Sequence, residues 1–133
     1  MKPPPFDYIR VDNSDEAVEL LAEYGDEARI IAGGQSLMPM LNMRLVRPQV
    51  LIDIGCASDL GGIEKKGKII EVGATTTQSE LEGWSNLETN LPLLAAAIPK
   101  IGHFQTRNRG TVCGSLCHAD PSSELPTCLM LLS

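Results

Sequence analysis

The residues best suited to chemistry lie in two stretches, "AGGQSLMP" at 32 to 39 and "TRNRGTVCGSLCHADPSSELP" at 106 to 126. Gly33 and Gly34 carry no Cβ, so a ligand can approach the main-chain N–H groups around them closely. Ser36 adds a hydroxyl donor, and the combination is the chemistry of a phosphate or pyrophosphate cradle. The turn is neither a Walker A loop, which needs Gly-Lys-Ser/Thr, nor a G-x-G-x-x-G fingerprint opening a helix. The second stretch again offers small residues and hydroxyls: Gly110, Thr111, Gly114 and Ser115. It runs on to Asp120, placed to N-cap a helix with Pro121 at the first helical position. Two donor-rich turns converging on one ligand suit a diphosphate with two sugar arms. The residues by themselves equally allow two unrelated tight turns.

Other chemistry is less well supported. Cys113-x-x-x-Cys117-His118 offers soft ligands, but zinc sites favour C-x-x-C with a second pair, and Cys56 and Cys128 stand alone. Small buried thiols are the simpler reading, and no four-ligand run suits an iron-sulfur cluster. His103 and His118 have no nucleophile and orienting acid in a recognisable arrangement, and His103 reads as a surface or helix-end residue. Arg107 and Arg109 can pair with phosphate oxygens or sit solvated in a loop. Met38, Met40 and Met43 read as core filling, and Trp84 as a cover over neighbouring hydrophobic surface.

The elements that must position these residues follow from pattern. "MKPPPFDYIRV" is an extended, Pro-rich lead-in. "NSDEAVELLAEYG" is a helix with Asn13 as N-cap, Glu16 three residues on and Gly25 as its end. Its buried stripe is expected from Ala17, Val18, Leu21 and Ala22. "ARIIAGG" reads as a short buried strand entering the Gly-Gly turn and "VLIDIG" as a second, with a crossover that points to parallel pairing. "MPMLNMRLVRP" in that crossover reads as a short helix with its methionines facing an interior. "IEKKGKIIEVGATTT" is a hairpin. Thr77 with Glu80 makes a capping box, and "LPLLAAAIPKIG" is a helical stretch bent at Pro99 and finished by Gly102.

The chain has 133 residues, 43% hydrophobic but only 4% aromatic, enough for one aliphatic core or part of a larger domain. A net charge of −6 argues against a nucleic-acid binder that covers phosphates with Lys and Arg. No apolar run reaches the length of a membrane span, and the N-terminus has no signal-like hydrophobic region. The four cysteines are then expected to be reduced thiols in a cytoplasmic protein. "ELPTCLMLLS" stops within an apolar segment, which reads as a chain cut short relative to its fold.

Taken in order and at their separation, the two glycine motifs, with "LIDIG" and "IEVGATTT" between them, resemble the N-terminal part of the FAD-binding medium subunit of molybdenum hydroxylases. That is the carbon monoxide dehydrogenase and xanthine dehydrogenase family, and the resemblance spans nearly the whole chain. It implies an α+β FAD-binding fold of the vanillyl-alcohol oxidase-like type. A small α/β subdomain would cover 1–55 and the beginning of a mainly antiparallel one 56–133. It implies that Ile30, Ile31, Ala32, Gly33, Gly34, Gln35, Ser36 and Leu37 wrap the FAD diphosphate. Thr111, Gly114 and Ser115 would supply a second contact. His118 would be a polar contact near the flavin and Glu124 an acceptor for FAD hydroxyls. Cys113 stands at the first of two positions where the family usually has Gly-Gly, at a cost of order 1 kcal/mol if the backbone there is left-handed.

The function so implied is electron transfer through FAD, from iron-sulfur clusters to an external acceptor, with no catalytic side chain required of this chain. The implied partners are an iron-sulfur small subunit and a molybdenum-cofactor large subunit. The alternative is a non-catalytic remnant or assembly module that does not retain flavin.

Overall fold

The computed structural model describes residues 1–132; Ser133, the last residue of the apolar C-terminal segment, lies outside them. The Pro-rich lead-in enters a strand, β1 (Asp7–Arg10). The sequence pattern placed no strand there. Asp7, Tyr8 and Arg10 are exposed, so this edge strand lacks the alternation that would reveal it.

β1 pairs in parallel with β3 (Val50–Asp53), Asp7 opposite Val50 and Arg10 opposite Asp53. β2 (Ala28–Ile31) pairs in parallel along the other side of β3, Ala28 opposite Val50 and Ile31 opposite Asp53. The order is therefore β1-β3-β2. Its central position explains the composition of β3: Val50, Leu51 and Ile52 are all buried, as a parallel strand covered on both faces requires.

α1 (Ser14–Tyr24) starts and stops as the sequence indicates. The Asn13 side-chain oxygen accepts from the Glu16 N–H at 2.9 Å, while the Glu16 carboxylate accepts from the Asp12 N–H at 3.0 Å. Gly25, at φ +51°, ends it. The buried face is not the expected one. Ala17 is buried with Leu20, Leu21 and Tyr24 packed beside it, whereas Val18 is 63% exposed and Ala22 is exposed. The run 17, 20, 21, 24 follows helical spacing, and Val18 lies about 100° round from Ala17. This face closes a first core of Val11, Ala17, Ala28, Val50, Ile52, Ile54 and Ala57.

The β2–β3 crossover holds α2 (Leu37–Asn42), where the buried residue is Leu41. The methionines do not share an interior: Met38 and Met40 are half-buried and Met43, beyond the helix, is 50% exposed. β4 (Ile63–Lys66) and β5 (Ile69–Val72) form the expected antiparallel hairpin, with Gly67 at φ +64° in its turn. α3 (Gln78–Glu82) opens with the full capping box of Thr77 and Glu80.

The chain then runs through α4 (Leu87–Asn90), α5 (Pro92–Ala97), a tighter turn at Ile98–Lys100 and Gly102 at φ +47°. α6 (Phe104–Arg107), α7 (Val112–His118) and α8 (Glu124–Leu132) follow. These helices enclose a second core of Leu81, Leu87, Leu94, Ile98, Val112, Leu125 and Cys128, with Trp84 packed on its edge.

The second glycine motif is thus the start of a helix rather than a turn. The following helix begins at Glu124, not at Pro121. The Asp120 carboxylate instead accepts from the Ser122 N–H at 2.8 Å and its hydroxyl at 2.7 Å, closing a tight turn before α8.

Candidate functional site

Beyond β2 the chain passes through Ala32 and Gly33 to Gly34, which at φ +70° takes the left-handed conformation that glycine tolerates. The N–H groups from Gly33 to Leu37 hydrogen-bond to no other described residue; that of Met38 is the first to do so, donating to the Gly34 carbonyl at 3.0 Å. The Ser36 side chain makes no capping bond to α2. The Gln35 amide donates to the Gly33 carbonyl at 3.3 Å. The turn therefore presents a run of unengaged donors, the local condition for holding an anion.

The two motifs meet. A Cβ on Gly33 would lie 2.0 Å from the Arg109 carbonyl oxygen and 2.9 Å from the Gly110 Cα. A Cβ on Gly110 would in turn lie 3.0 Å from the Thr106 carbonyl oxygen and 3.3 Å from Gln78 Nε2. Main-chain bonds fix this stack: the Gln78 N–H donates to the Gly110 carbonyl at 2.8 Å and the Val112 N–H to the Thr76 carbonyl at 3.0 Å. Thr77 and Thr111 so face each other in an antiparallel bridge. Gln78 is only 5% exposed, yet its Oε1 has no hydrogen-bond partner among the described residues.

Thr111 is buried and N-caps α7, its Oγ1 accepting from the Gly114 N–H at 3.1 Å. A Cβ on Gly114 would stand 2.5 Å from that oxygen, so the glycine makes room for the cap. The Ser115 hydroxyl lies 3.3 Å from that of Ser123. His118 is exposed at the end of α7, just before Ala119 at φ +53°, and the half-buried Glu124 opens α8. Cys113 is not left-handed: it lies within α7, and Arg44 and Ala119 are the non-glycine residues at positive φ among the described residues. The strain expected at Cys113 is therefore absent. Its Sγ instead lies 3.5 Å from the Val72 carbonyl oxygen, and burial pushes its thiol pKa up.

A cleft of about 660 Å³ opens between these parts. Ile31, Ala32, Gly33, Gly34 and Gln35 line it, with Met38, Pro39 and Asn42 from α2. Arg109, Tyr8 and Asp53 complete its lining. Of the expected residues, Ile30, Ser36, Leu37, Thr111, Gly114, Ser115, His118 and Glu124 are not on its wall. Arg107 is also elsewhere: its guanidinium bonds Glu82 at 2.9 Å and the Ile101 carbonyl at 3.0 Å.

Sequence reasoning missed Tyr8, Asn42 and Asp53. Asp53 had a legible signal, since it ends a central parallel strand and ligands gather beyond the carboxyl ends of such strands. Tyr8 had none, because β1 was not recognised. The Tyr8 hydroxyl donates to Asp53 Oδ2, and this bond raises the phenol pKa above its ordinary value. Asp53 Oδ1 accepts from the Gly55 N–H at 2.8 Å. No group of three or more His, Cys, Asp or Glu among the described residues is arranged to hold a metal ion.

The chain belongs to the family of FAD-binding domains in molybdopterin dehydrogenases, which it matches over residues 4–133. It is 48% identical over 132 residues to the 6-hydroxypseudooxynicotine dehydrogenase complex subunit alpha of Paenarthrobacter nicotinovorans, covering 99% of this chain and 45% of that one. It is 40% identical to the carbon monoxide dehydrogenase medium chain of Hydrogenophaga pseudoflava, covering 95% of this chain and 44% of the relative. A solved carbon monoxide dehydrogenase from that organism superposes with a TM-score of 0.91, again over 95% of this chain and 44% of that one. Quinoline 2-oxidoreductase from Pseudomonas putida 86 superposes with a TM-score of 0.90 at 40% identity, with the same coverage. The chain thus spans less than half the length of these relatives.

The fold is the α+β FAD-binding fold of these medium chains, and FAD is the cofactor of the family. The relatives are subunits of oxidoreductase complexes. The residues present fit such a cofactor: the unengaged N–H groups from Gly33 to Leu37 offer donors to a diphosphate, and no Cβ stands over them at Gly33. No helix of the described residues is long and apolar enough to cross a membrane.

Proposed function

We propose that this chain forms the N-terminal part of the FAD-binding, electron-transferring component of a molybdenum-containing hydroxylase. The observation that supports this reading best is the run of five unengaged N–H groups from Gly33 to Leu37, set directly against the Arg109–Gly110 segment. In this reading Gly33, Gly34 and Gln35 bind the diphosphate through main-chain donors, the Ser36 hydroxyl adds a further donor, and Ile30, Ile31, Ala32 and Leu37 frame the turn. Thr111, Gly114 and Ser115 supply the second contact, His118 approaches the flavin and Glu124 accepts from FAD hydroxyls.

When bound, FAD supplies the redox chemistry, taking electrons from iron-sulfur clusters and releasing them to an external acceptor. The chain's own work is to bind, orient and shield. It needs no side chain that moves a proton. Residues 1–55 act as the small α/β subdomain and 56–133 as the beginning of the second. The partners are an iron-sulfur small subunit and a molybdenum-cofactor large subunit, in the cytoplasm.

Flavin content tests the proposal. Chain purified as expressed, or incubated with FAD and desalted, should be yellow and release FAD on denaturation. A folded chain that stays colourless and takes up no FAD would overturn it in favour of a non-catalytic remnant.

A further inference from the structure

We propose that Asp53 is the acceptor for the vicinal hydroxyls of a ribose attached to the bound diphosphate, so that the cleft reads a nucleoside diphosphate and rejects a bare one. The inference rests on the diphosphate reading above and concerns the end of β3, which lies beside the end of β2 in the same cleft.

The groups lining the cleft differ in sign. Gly33, Gly34 and Gln35 present donors, whereas Asp53 presents a carboxylate, which when ionised only accepts. A diphosphate also only accepts, so by itself it gains nothing from Asp53 and is repelled by it. The nearest donors on a nucleotide are the sugar hydroxyls beside the phosphate. A carboxylate can take two such hydroxyls when a ring holds them cis.

Asp53 is already oriented for that task. It ends the central strand β3, its Oδ1 is fixed by the Gly55 N–H at 2.8 Å and its Oδ2 by the Tyr8 hydroxyl. Each oxygen keeps a further acceptor site. The Tyr8 ring, 56% exposed, together with Met38 and Pro39, adds flat and apolar surface where a base can lie. The volume of about 660 Å³ lies in the usual range for small-molecule sites.

Titration calorimetry on the full chain tests this with FAD, ADP, FMN and inorganic pyrophosphate as probes. Asp53→Asn should bind FAD and ADP about tenfold more weakly, yet bind pyrophosphate as well as or better than the unmutated chain. A purely structural loss would weaken all of them together, and that result overturns the proposal. So does unchanged ADP affinity, or a loss confined to FMN. A measurement without mutation guards against a variant that fails to fold: the unmutated chain should bind 2′,3′-dideoxy-ADP about tenfold more weakly than ADP. Equal affinity for the two in a chain that binds FAD sinks this inference alone. A folded chain that binds no FAD, ADP or pyrophosphate sinks it together with the proposed function.

Discussion

Gly33 lies flush against Arg109: a Cβ at position 33 would stand 2.0 Å from the Arg109 carbonyl oxygen, and backbone cannot move aside as a side-chain tip can. Gly33→Ala must therefore part the two motifs. It should lower stability by about 1–3 kcal/mol, the usual range for overpacking, and weaken FAD binding with it. Gly83→Ala is the control, since a Cβ there meets its nearest atom at an ordinary 3.4 Å. Urea unfolding and FAD titration of both variants check the contrast; equal behaviour would mean the motifs are not held in contact.

Gln78 carries a different expectation. Its buried Oε1 is unsatisfied among the described residues, and leaving such an atom unpaired costs about 1–3 kcal/mol. Methionine has nearly the same length and no such requirement. Gln78→Met should raise the thermal midpoint of the ligand-free chain, read by differential scanning calorimetry. A lowered midpoint would show that the carboxamide is satisfied in solution.

Arg107 is expected to act on stability and not on ligand affinity. Its side chain is 12% exposed and bound to Glu82 and the Ile101 carbonyl. Arg107→Met should cost about 1.5–3 kcal/mol, as for hydrogen bonds to charged groups, while a folded variant keeps the FAD affinity of the unmutated chain. Selective loss of FAD binding would return this arginine to the phosphate.

Acid sensitivity should trace in part to Asp59. The Ser14 hydroxyl and N–H both donate to its carboxylate, holding its pKa below the ordinary 3.8. A depressed carboxylate contributes stability that is present above its unfolded pKa and lost as pH falls through the folded one. The stability gap between the unmutated chain and Asp59→Ala should thus be full at neutral pH and close on acidification below about pH 4. Unfolding curves across that range measure it; a gap independent of pH would assign the loss to packing.

What was legible in the sequence was what is local. The caps at Asn13 and Thr77, the hairpin around Gly67 and the glycine end of α1 each depend on residues within a few positions. β1 escaped because its partner is some forty residues away and its exposed side chains leave no alternation. α7 escaped because Thr, Val, Cys and Gly are poor helix formers. It forms there on the Thr111 cap, with Val112 buried in the second core. The glycine motifs were recognised, but the Tyr8–Asp53 pair was not, since it exists only once β1 is laid beside β3.

The Thr111 hydroxyl leaves adjoining positions of α7 with unequal freedom. A Cβ at position 114 would have to displace the capping oxygen, which already fills the space it would need. Position 113 lies in ordinary helical geometry and holds its thiol half-buried against the Val72 and Gly73 carbonyls. Exchange is therefore tolerated at 113 within the space its thiol now fills, whereas a side chain at its C-terminal neighbour costs the cap. Two adjoining helical positions thus have quite different tolerances.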